Sequence, residues 1–457
     1  MVLITLDALR ADVLDPTLTP HLAALAGRAE WAGTAIASTS WTAPSMATLF
    51  TGLQPWSHGV LHPGRARVPD DLTTLAEAFA AAGFPTAAYR SNHWLEEGFG
   101  HAQGYGVFRR MGHGGGRAAG HLASLDGGPQ FLWVHVLPPH APYRNHAAFA
   151  ARLGDDVPAD LPKAVHPVEL EPWYDPAVPL PAAERDRFWA LYRSNVAWAD
   201  HLLGELLTAL DASGQRDETL LVVTADHGEE FGEHGQMAHG GNLGRRLVEV
   251  PLLVDLPRGF GGRLAVAETE RPGLERLYAT LVEAVGAEVP AVQGARSPAP
   301  GLWSQAARPV LSELYLGNGV NEYSLVDGDW QLLWRSRFAP AEDDYYRARL
   351  AMLGARPQPP PSEKPQVVFD RLEHAFDRAR PLTGALGEPE LRLVRWTAGG
   401  VEEVDDPRRR DAMARALRAA WRERNGDEVP PGRHRPEARQ EMDEKAIEEL
   451  RALGYVG

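Results

Sequence analysis

The chain has 457 residues, 44% of them hydrophobic, 8% aromatic and 23% charged, with a formal net charge of -15. That length supports one large core and a smaller second one. The acidic balance argues against duplex nucleic acid as a partner, because duplex binding needs clustered Lys and Arg to displace counterions; an anionic small molecule is not excluded, since a bound cation inverts the field inside a site.

The chain opens MVLITLDALRAD. Its apolar start is short and has neither a basic n-region nor a cleavage site, so it does not read as a secretion signal. No run reaches the roughly 18 apolar residues of a membrane span, and a cytoplasmic location is the expectation. There is no cysteine, so disulfides are excluded and cysteine usage says nothing about compartment.

MVLITLD is a short apolar run ending in Asp7, the pattern of a buried parallel strand with a functional residue at its carboxyl end. TPHLAALAGRAEWAG has helical spacing, and LTTLAEAFAAAGFPTAAYRSN reads as a helix, a Gly-Pro turn and a strand. FLWVHVLPPHAPY is a strand running into a proline-rich loop. RFWALYRSNVAWADHLLGELLTALDASG is a long amphipathic helix, TLLVVTADHGEEFGEHG a strand with acidic and histidine residues at its end, and VPLLVDLP a further strand. Strands alternating with helices predict an α/β fold: a large, mostly parallel sheet sandwiched by helices. Ligands of such sheets sit outside the carboxyl ends of the strands, where Asp7, His135, Asp226 and His227 fall.

Past about residue 295 the texture changes. GARSPAPG is linker-like, EYSLVDGDWQLLWRS and ELRLVRWTAGGVEEV read as strands of a smaller antiparallel sheet, PRRRDAMARALRAAWRERN as a charged helix and RPQPPPSEKP as an exposed proline-rich loop. The expected division is a catalytic domain over 1–300 and a smaller C-terminal α+β subdomain over 301–457.

Four pieces carry candidate chemistry: Asp7, Thr42, the pair Asp226-His227, and the histidines His140 and His239. Each has a bland reading. Asp7 caps or turns the chain; Ser40 or Thr42 caps a helix beginning near Pro44; His140 and His239 sit in turns; DHGEEFGEHG is a solvated acidic loop. Taken together, two carboxylates, an adjacent imidazole and a hydroxyl near strand ends suit a divalent metal. An alcohol is a poor nucleophile while protonated, and coordination lowers its pKa as it does for water. Helix-start N–H groups beyond Thr42 would face an incoming anion.

LITLDALRAD, TAPSMATLFTG followed by HGV, VHVLPPHAPY, VVTADHGEEFGEHG and VEVPLLV stand in this order, and the tail is IEELRALGYVG. With these motifs the chain resembles the sulfatase branch of the alkaline phosphatase superfamily over nearly all of residues 1–300, which implies an alkaline-phosphatase-like sheet. Members of that branch usually open with two adjacent aspartates; the second position here is Ala8. Their nucleophile motif is C-x-P-x-R, with the cysteine oxidised to formylglycine. Here Thr42 takes the cysteine position, Pro44 matches, and Met46 replaces the arginine. Threonine oxidation would give a ketone, so a formylglycine mechanism is not expected.

These departures are similar to a second branch, the threonine enzymes that include nucleotide phosphodiesterases and phosphoethanolamine transferases. That resemblance implies metal ligation by Asp7, Thr42, Asp226 and His227, with His140 and His239 serving the substrate, the leaving group or a second ion. Arg10 is a further substrate-binding candidate, His234 and His135 are secondary ones, and His135 is read as packing beneath the site. One or two ions are expected, zinc or manganese in preference to calcium, which prefers more oxygen ligands. The expected function is a metal-dependent hydrolase of an anionic small-molecule ester, a phosphodiester or phosphonate monoester, acting through a metal-activated threonine. The alternatives are a sulfatase without formylglycine and a catalytically silent binding protein of the same fold.

Overall fold

The structure, a computed structural model, describes residues 1–61, 67–112, 114–154, 157–158, 160–174, 178–267, 269–291, 297–304, 309–315, 321–336, 389–398 and 400–425. The proline-rich loop at 356–365 and the tail at 447–457 lie outside the described residues. In chain order the strands are β1 (Val2–Leu6), β2 (Trp31–Ile36), β3 (Thr86–Arg90), β4 (Val107–Arg110), β5 (Phe131–Val136), β6 (Tyr143–Arg144), β7 (Ala164–Val165), β8 (Leu221–Ala225), β9 (Glu230–Phe231), β10 (Met237–Ala238), β11 (Glu249–Asp255), β12 (Val310–Tyr315), β13 (Asn321–Asp327), β14 (Trp330–Ser336), β15 (Glu390–Thr397) and β16 (Gly400–Glu403).

Seven strands form one sheet in the order β2-β11-β8-β1-β5-β3-β4. β1 pairs in parallel with β5 and β8, and β3 in parallel with β5 and β4. β11 is antiparallel to both its neighbours, β8 and β2. Every residue of β1, β5, β8 and β11 is buried, the signature of a sheet covered on both faces. The helix Ala182–Ala212 packs with Pro20–Ala26 and Gly116–Ala123, and the helix Thr42–Thr51 packs with Leu75–Ala81 and Arg276–Ala284. Among the described residues no helix is long and apolar enough to cross a membrane.

Register builds the site. Leu6 stands beside Val136 on one side and Ala225 on the other. The residues that follow, Asp7 and Asp226, therefore leave the sheet next to each other at its carboxyl edge. β11 runs the opposite way, so its last residue, Asp255, pairs with Leu221 at the far edge and is tied to Arg28 and Arg216. Periodicity finds β1, β3, β5, β8 and β11 but not β2 or β4. β4 is an edge strand with no buried residue, and β2 buries only Trp31, Ala35 and Ile36, so neither carries a strong apolar signal.

The second sheet is an antiparallel meander of five strands, β12 to β16 in sequence order. Alternate residues go to opposite faces. Leu311, Tyr315, Tyr323, Leu325, Leu332, Trp334 and Leu393 face Met413, Leu417 and Trp421 of the helix Pro407–Asn425. Val310, Leu314, Val326, Leu333, Val394 and Trp396 face Ile36, Leu243 and Val248 of the larger sheet region. The contact is also polar: Ser312 Oγ donates to the Ala37 carbonyl (2.7 Å) and Glu313 N to the Ser38 carbonyl (2.7 Å), on the segment that leads to Thr42.

Candidate active site

The helix Thr42–Thr51 starts directly after Trp41, whose backbone is extended, and no side chain caps it. Thr42 is thus the first helical residue and not the cap that the bland reading allowed. Its buried hydroxyl points toward the carboxyl edge of the large sheet instead. It lies 3.2 Å from His227 Nε2, 3.5 Å from Asp7 Oδ1 and 3.4 Å from Asn92 Nδ2. Ser45, one turn on, donates its hydroxyl to the Asp226 carbonyl (2.6 Å) and pins the helix to the β8 end.

Asp7, Asp226 and His227 each offer a ligand atom within 4.8 Å of the others, and all three are fully buried. His227 Nδ1 donates to the Gly228 carbonyl (2.8 Å), which leaves the Nε2 lone pair facing Asp226 Oδ2 at 3.5 Å and Asp7 Oδ1 at 3.7 Å. Asp226 Oδ1 accepts from the amides of Ala8 (3.1 Å) and His227 (2.9 Å), while its Oδ2 is buried without a hydrogen-bond partner. Burial would raise the Asp7 carboxyl, but the His140 imidazole, the hydrogen bond from His135 and the His135 and His227 imidazoles around it outweigh it and hold Asp7 well below the usual carboxylate range. Asp226 is pushed up by burial and by the charge of Asp7. An unpartnered carboxylate oxygen, a second carboxylate and an outward-facing imidazole lone pair fit a divalent cation, which would supply the charge this pair lacks.

His227 starts a row of three imidazoles: ring centres are 4.4 Å apart for His227 and His239 and 4.9 Å for His239 and His140. His239 Nδ1 meets Glu229 Oε1 at 2.8 Å, and His140 Nδ1 donates to the Ala141 carbonyl (2.6 Å). Burial would raise the Glu229 carboxyl, but the charge and hydrogen bond of His239, with the charges of His140 and His227, bring it below its ordinary value. The glycines of these motifs have steric reasons. A Cβ on Gly228 would lie 1.9 Å from the Arg246 carbonyl oxygen, and one on Gly240, at φ +76, would lie 2.2 Å from the Trp41 ring that meets His239 edge-on. Ala8 (φ 61) and Ala238 (φ 64), immediately after Asp7 and before His239, are the non-glycine residues held in the left-handed region among the described residues, a strain typical of functional sites.

The structure therefore brings Asp7, Thr42, Asp226, His227, His140 and His239 together. Arg10 has a different setting: its guanidinium pairs with Asp12 and Glu233, donates to the Glu229 carbonyl and lies over Trp189. His234 pairs with Glu230. DHGEEFGEHG is no solvated loop, since Glu229 and Glu230 are both buried. Two participants escaped the sequence reading. Asn92, whose Nδ2 donates to Asp7 Oδ2 at 2.6 Å, follows β3, and the strand-end rule that selected Asp7 would have selected it too. Glu229 was in view but its burial was not.

The comparisons divide along the same geometry. Residues 1–67, which hold Asp7 and Thr42, match the type I phosphodiesterase / nucleotide pyrophosphatase family, and residues 117–287, which hold His140, Asp226, His227 and His239, match the sulfatase family. The chain is a sulfatase-like member of the alkaline phosphatase superfamily. This sulfatase-like chain is 27% identical over 207 residues to the multifunctional alkaline phosphatase superfamily protein PehA of Trinickia caryophylli, covering 40% of the chain and 39% of PehA. It is 29% identical over 150 residues to human (Homo sapiens) iduronate 2-sulfatase, covering 28% of the chain and 27% of that protein. Both matches span well under two thirds of the relative. In fold it is similar to the phosphonate monoester hydrolase SpPMH of Silicibacter pomeroyi, with a TM-score of 0.55, 20% identity and coverage of 88% of this chain and 98% of that one.

Proposed function

We propose that the protein is a metal-dependent hydrolase that cleaves a phosphodiester or phosphonate monoester through Thr42. The observation that carries this reading is the Thr42 hydroxyl, which sits between His227 Nε2 and Asp7 Oδ1 at the first turn of its helix instead of capping it. Asp7, Asp226 and His227 would hold the ion together with the Thr42 oxygen. When bound, a divalent cation supplies Lewis acidity, lowering the pKa of the hydroxyl and neutralising charge on the non-bridging oxygens. Among the described residues these three are the only such ligand group, which favours one ion over two and leaves His140 and His239 for the ester. A small ligand set of mixed nitrogen and oxygen suits zinc or manganese better than calcium.

Thr42, its proton released to solvent as the hydroxyl pKa falls, attacks phosphorus in line with the departing oxygen; the Oγ1–P bond forms as the bond from phosphorus to the leaving oxygen breaks, giving a threonine phosphoester or phosphonoester. His239, oriented by Glu229, or His140 beside it hands a proton to the leaving oxygen. Water then attacks phosphorus and breaks its bond to Thr42 Oγ1, releasing the phosphate monoester or phosphonic acid and restoring the hydroxyl. The Thr42 and Ala43 N–H groups at the helix start, with the Asn92 amide that reaches Thr42 Oγ1 at 3.4 Å, would receive the ester's anionic oxygens. Arg10 takes a supporting part, bracing the Glu229 loop.

Sulfate esters are the second reading, favoured by the sulfatase match over residues 117–287; PehA, named multifunctional, and SpPMH, a phosphonate monoester hydrolase, are relatives or neighbours that keep the phosphoester reading ahead. The deciding experiment sets aryl phosphodiesters, phosphonate monoesters, phosphate monoesters and sulfates against the protein with zinc, manganese or calcium. Turnover is expected to be fastest on the diester or phosphonate, and Thr42→Ala is expected to lower it by at least about a thousandfold. Unchanged turnover in Thr42→Ala would remove the nucleophile assignment, and a preference for sulfate would replace the substrate class.

A further inference from the structure

His135 is read from the sequence as packing beneath the site, yet the structure gives it two directional partners. Its Nε2 is 3.2 Å from Asp7 Oδ2 and its Nδ1 is 2.8 Å from Thr5 Oγ1. Thr5 Oγ1 in turn accepts the Trp133 indole N–H at 3.0 Å. All four residues are fully buried. The ladder sets this up: Thr5 is the register partner of His135, and Trp133, two residues before His135 on β5, shares its face of the sheet.

The chain of hydrogen bonds has one consistent direction. An indole N–H only donates and a carboxylate only accepts, so neutral His135 must present Nε2–H to Asp7. Its Nδ1 is then a lone pair. The Thr5 hydroxyl, which has already accepted from Trp133, donates its own proton there. The order is Trp133 to Thr5 to His135 to Asp7. Asn92 Nδ2 reaches the same carboxylate oxygen at 2.6 Å. Oδ2 of Asp7 thus receives two donors, and Oδ1 is the oxygen that faces Thr42 at 3.5 Å and His227 at 3.7 Å.

We propose that His135 is a positioning residue for the ion site: locked by Thr5 and Trp133, it holds Asp7 by Oδ2 so that the carboxylate offers a single oxygen, Oδ1, to the ion. The inference rests on the ion-site reading above. A one-oxygen grip keeps the coordination number low, which works against calcium, an ion that favours bidentate carboxylates and a larger oxygen shell. Without the relay, Asp7 turns, zinc or manganese binding weakens, and the margin over calcium narrows.

The test is a set of dissociation constants for zinc, manganese and calcium, measured by chelator competition on the full chain below the melting temperature of each variant. Thr5→Val removes the hydroxyl while keeping a strand-forming shape. His135→Phe removes the donor, and His135→Gln restores an N–H able to reach Oδ2. Thr5→Val and His135→Phe are expected to weaken zinc and manganese by about 10- to 100-fold and to shrink the ratio to calcium; His135→Gln is expected to recover most of the loss, which a mere packing role would not allow. Asp7→Asn is the control. If Asp7→Asn loses the ion while Thr5→Val and His135→Phe bind as tightly as the parent, the positioning role is overturned and the ion site stands. If Asp7→Asn also binds like the parent, the ion-site reading itself falls and takes this inference with it.

Discussion

The two sheets of this protein spend their buried volume differently. The five-stranded sheet is filled with aromatic and aliphatic groups: Tyr315, Tyr323, Trp334 and Trp421 on one face, Trp396 and its aliphatic neighbours on the other. The seven-stranded sheet also has an apolar body, with Phe131 and Trp133 of β5 inside it, but its carboxyl edge gathers two carboxylates, three imidazoles and a hydroxyl within reach of one another. The first arrangement buries apolar area and gives its buried carboxylates, Glu313 and Glu322, backbone N–H donors from Trp56 and Leu243. The second tolerates an unpartnered carboxylate oxygen and two strained alanines, and such costs persist in a fold only where something else supplies the compensation. The contrast teaches that the smaller sheet is read as support and the larger sheet's edge as the candidate for chemistry.

The sharpest way to break that contrast is Asp226→Asn. It removes a charge that burial and Asp7 already disfavour, so the fold is expected to survive and its melting temperature in chelator to hold or rise. Ion affinity is expected to fall by more than the roughly 100-fold upper range of outer-shell changes, and hydrolysis with it. Calorimetric titration with zinc beside a thermal melt checks both halves; retention of ion binding, or collapse of the fold, would erase the division of labour.

Trp421→Ala probes the other side. Its ring is fully buried and meets Tyr323 edge-on at 5.0 Å between ring centres. The expected cost is about 3–5 kcal/mol in denaturant unfolding, with the turnover of each folded molecule unchanged. A drop in turnover per folded molecule would show that the small sheet shapes the site, which the Ser312 and Glu313 contacts to Ala37 and Ser38 make a fair challenge.

A smaller effect belongs to His101, buried beside Phe50 under the large sheet's helices. Burial, with the charges of His135 and Arg90, lowers it to about 3. The sign follows from a depressed folded value: above about 6.5, the ordinary value, its contribution is complete, and as pH falls toward 3 the unfolded chain takes up a proton that the folded chain refuses. Between pH 7 and pH 5 the loss from this group is roughly 2 kcal/mol, at about 1.36 kcal/mol per pH unit below 6.5. His101→Gln is expected to abolish that share of the acid sensitivity, read as urea midpoints at the two pH values; identical acid shifts in variant and parent would remove His101 as its source.

Much of this was legible in the chain before any coordinates. Apolar runs such as MVLITLD and TLLVVTADH announced buried strands, and a polar residue at the end of such a run is a short step from a site, because a parallel sheet exposes its carboxyl ends together. The meander of the smaller sheet was visible in its strand pairs, though β12 was not singled out. Asn92 was missed because it lies two residues past Arg90, the end of β3, and an amide is not a residue type that a metal-ligand search looks for; Glu229 was missed because an acidic run looks solvated until its neighbours are known. The Thr42 hydroxyl could equally have been a cap, and nothing local distinguishes the two roles.

The sequence by itself determined which polar residues stand at the strand ends and which edge of the sheet they share, since strand period and strand ends are local properties of the chain. Only the tertiary structure decided what each polar atom faces. That Thr42 turns to His227, that Asp226 keeps an unpartnered oxygen and that His135 grips Asp7 from behind all depend on the parallel register of β1, β5 and β8 and on the docking of the helix Thr42–Thr51, contacts between segments 35 to 218 positions apart that no local pattern encodes.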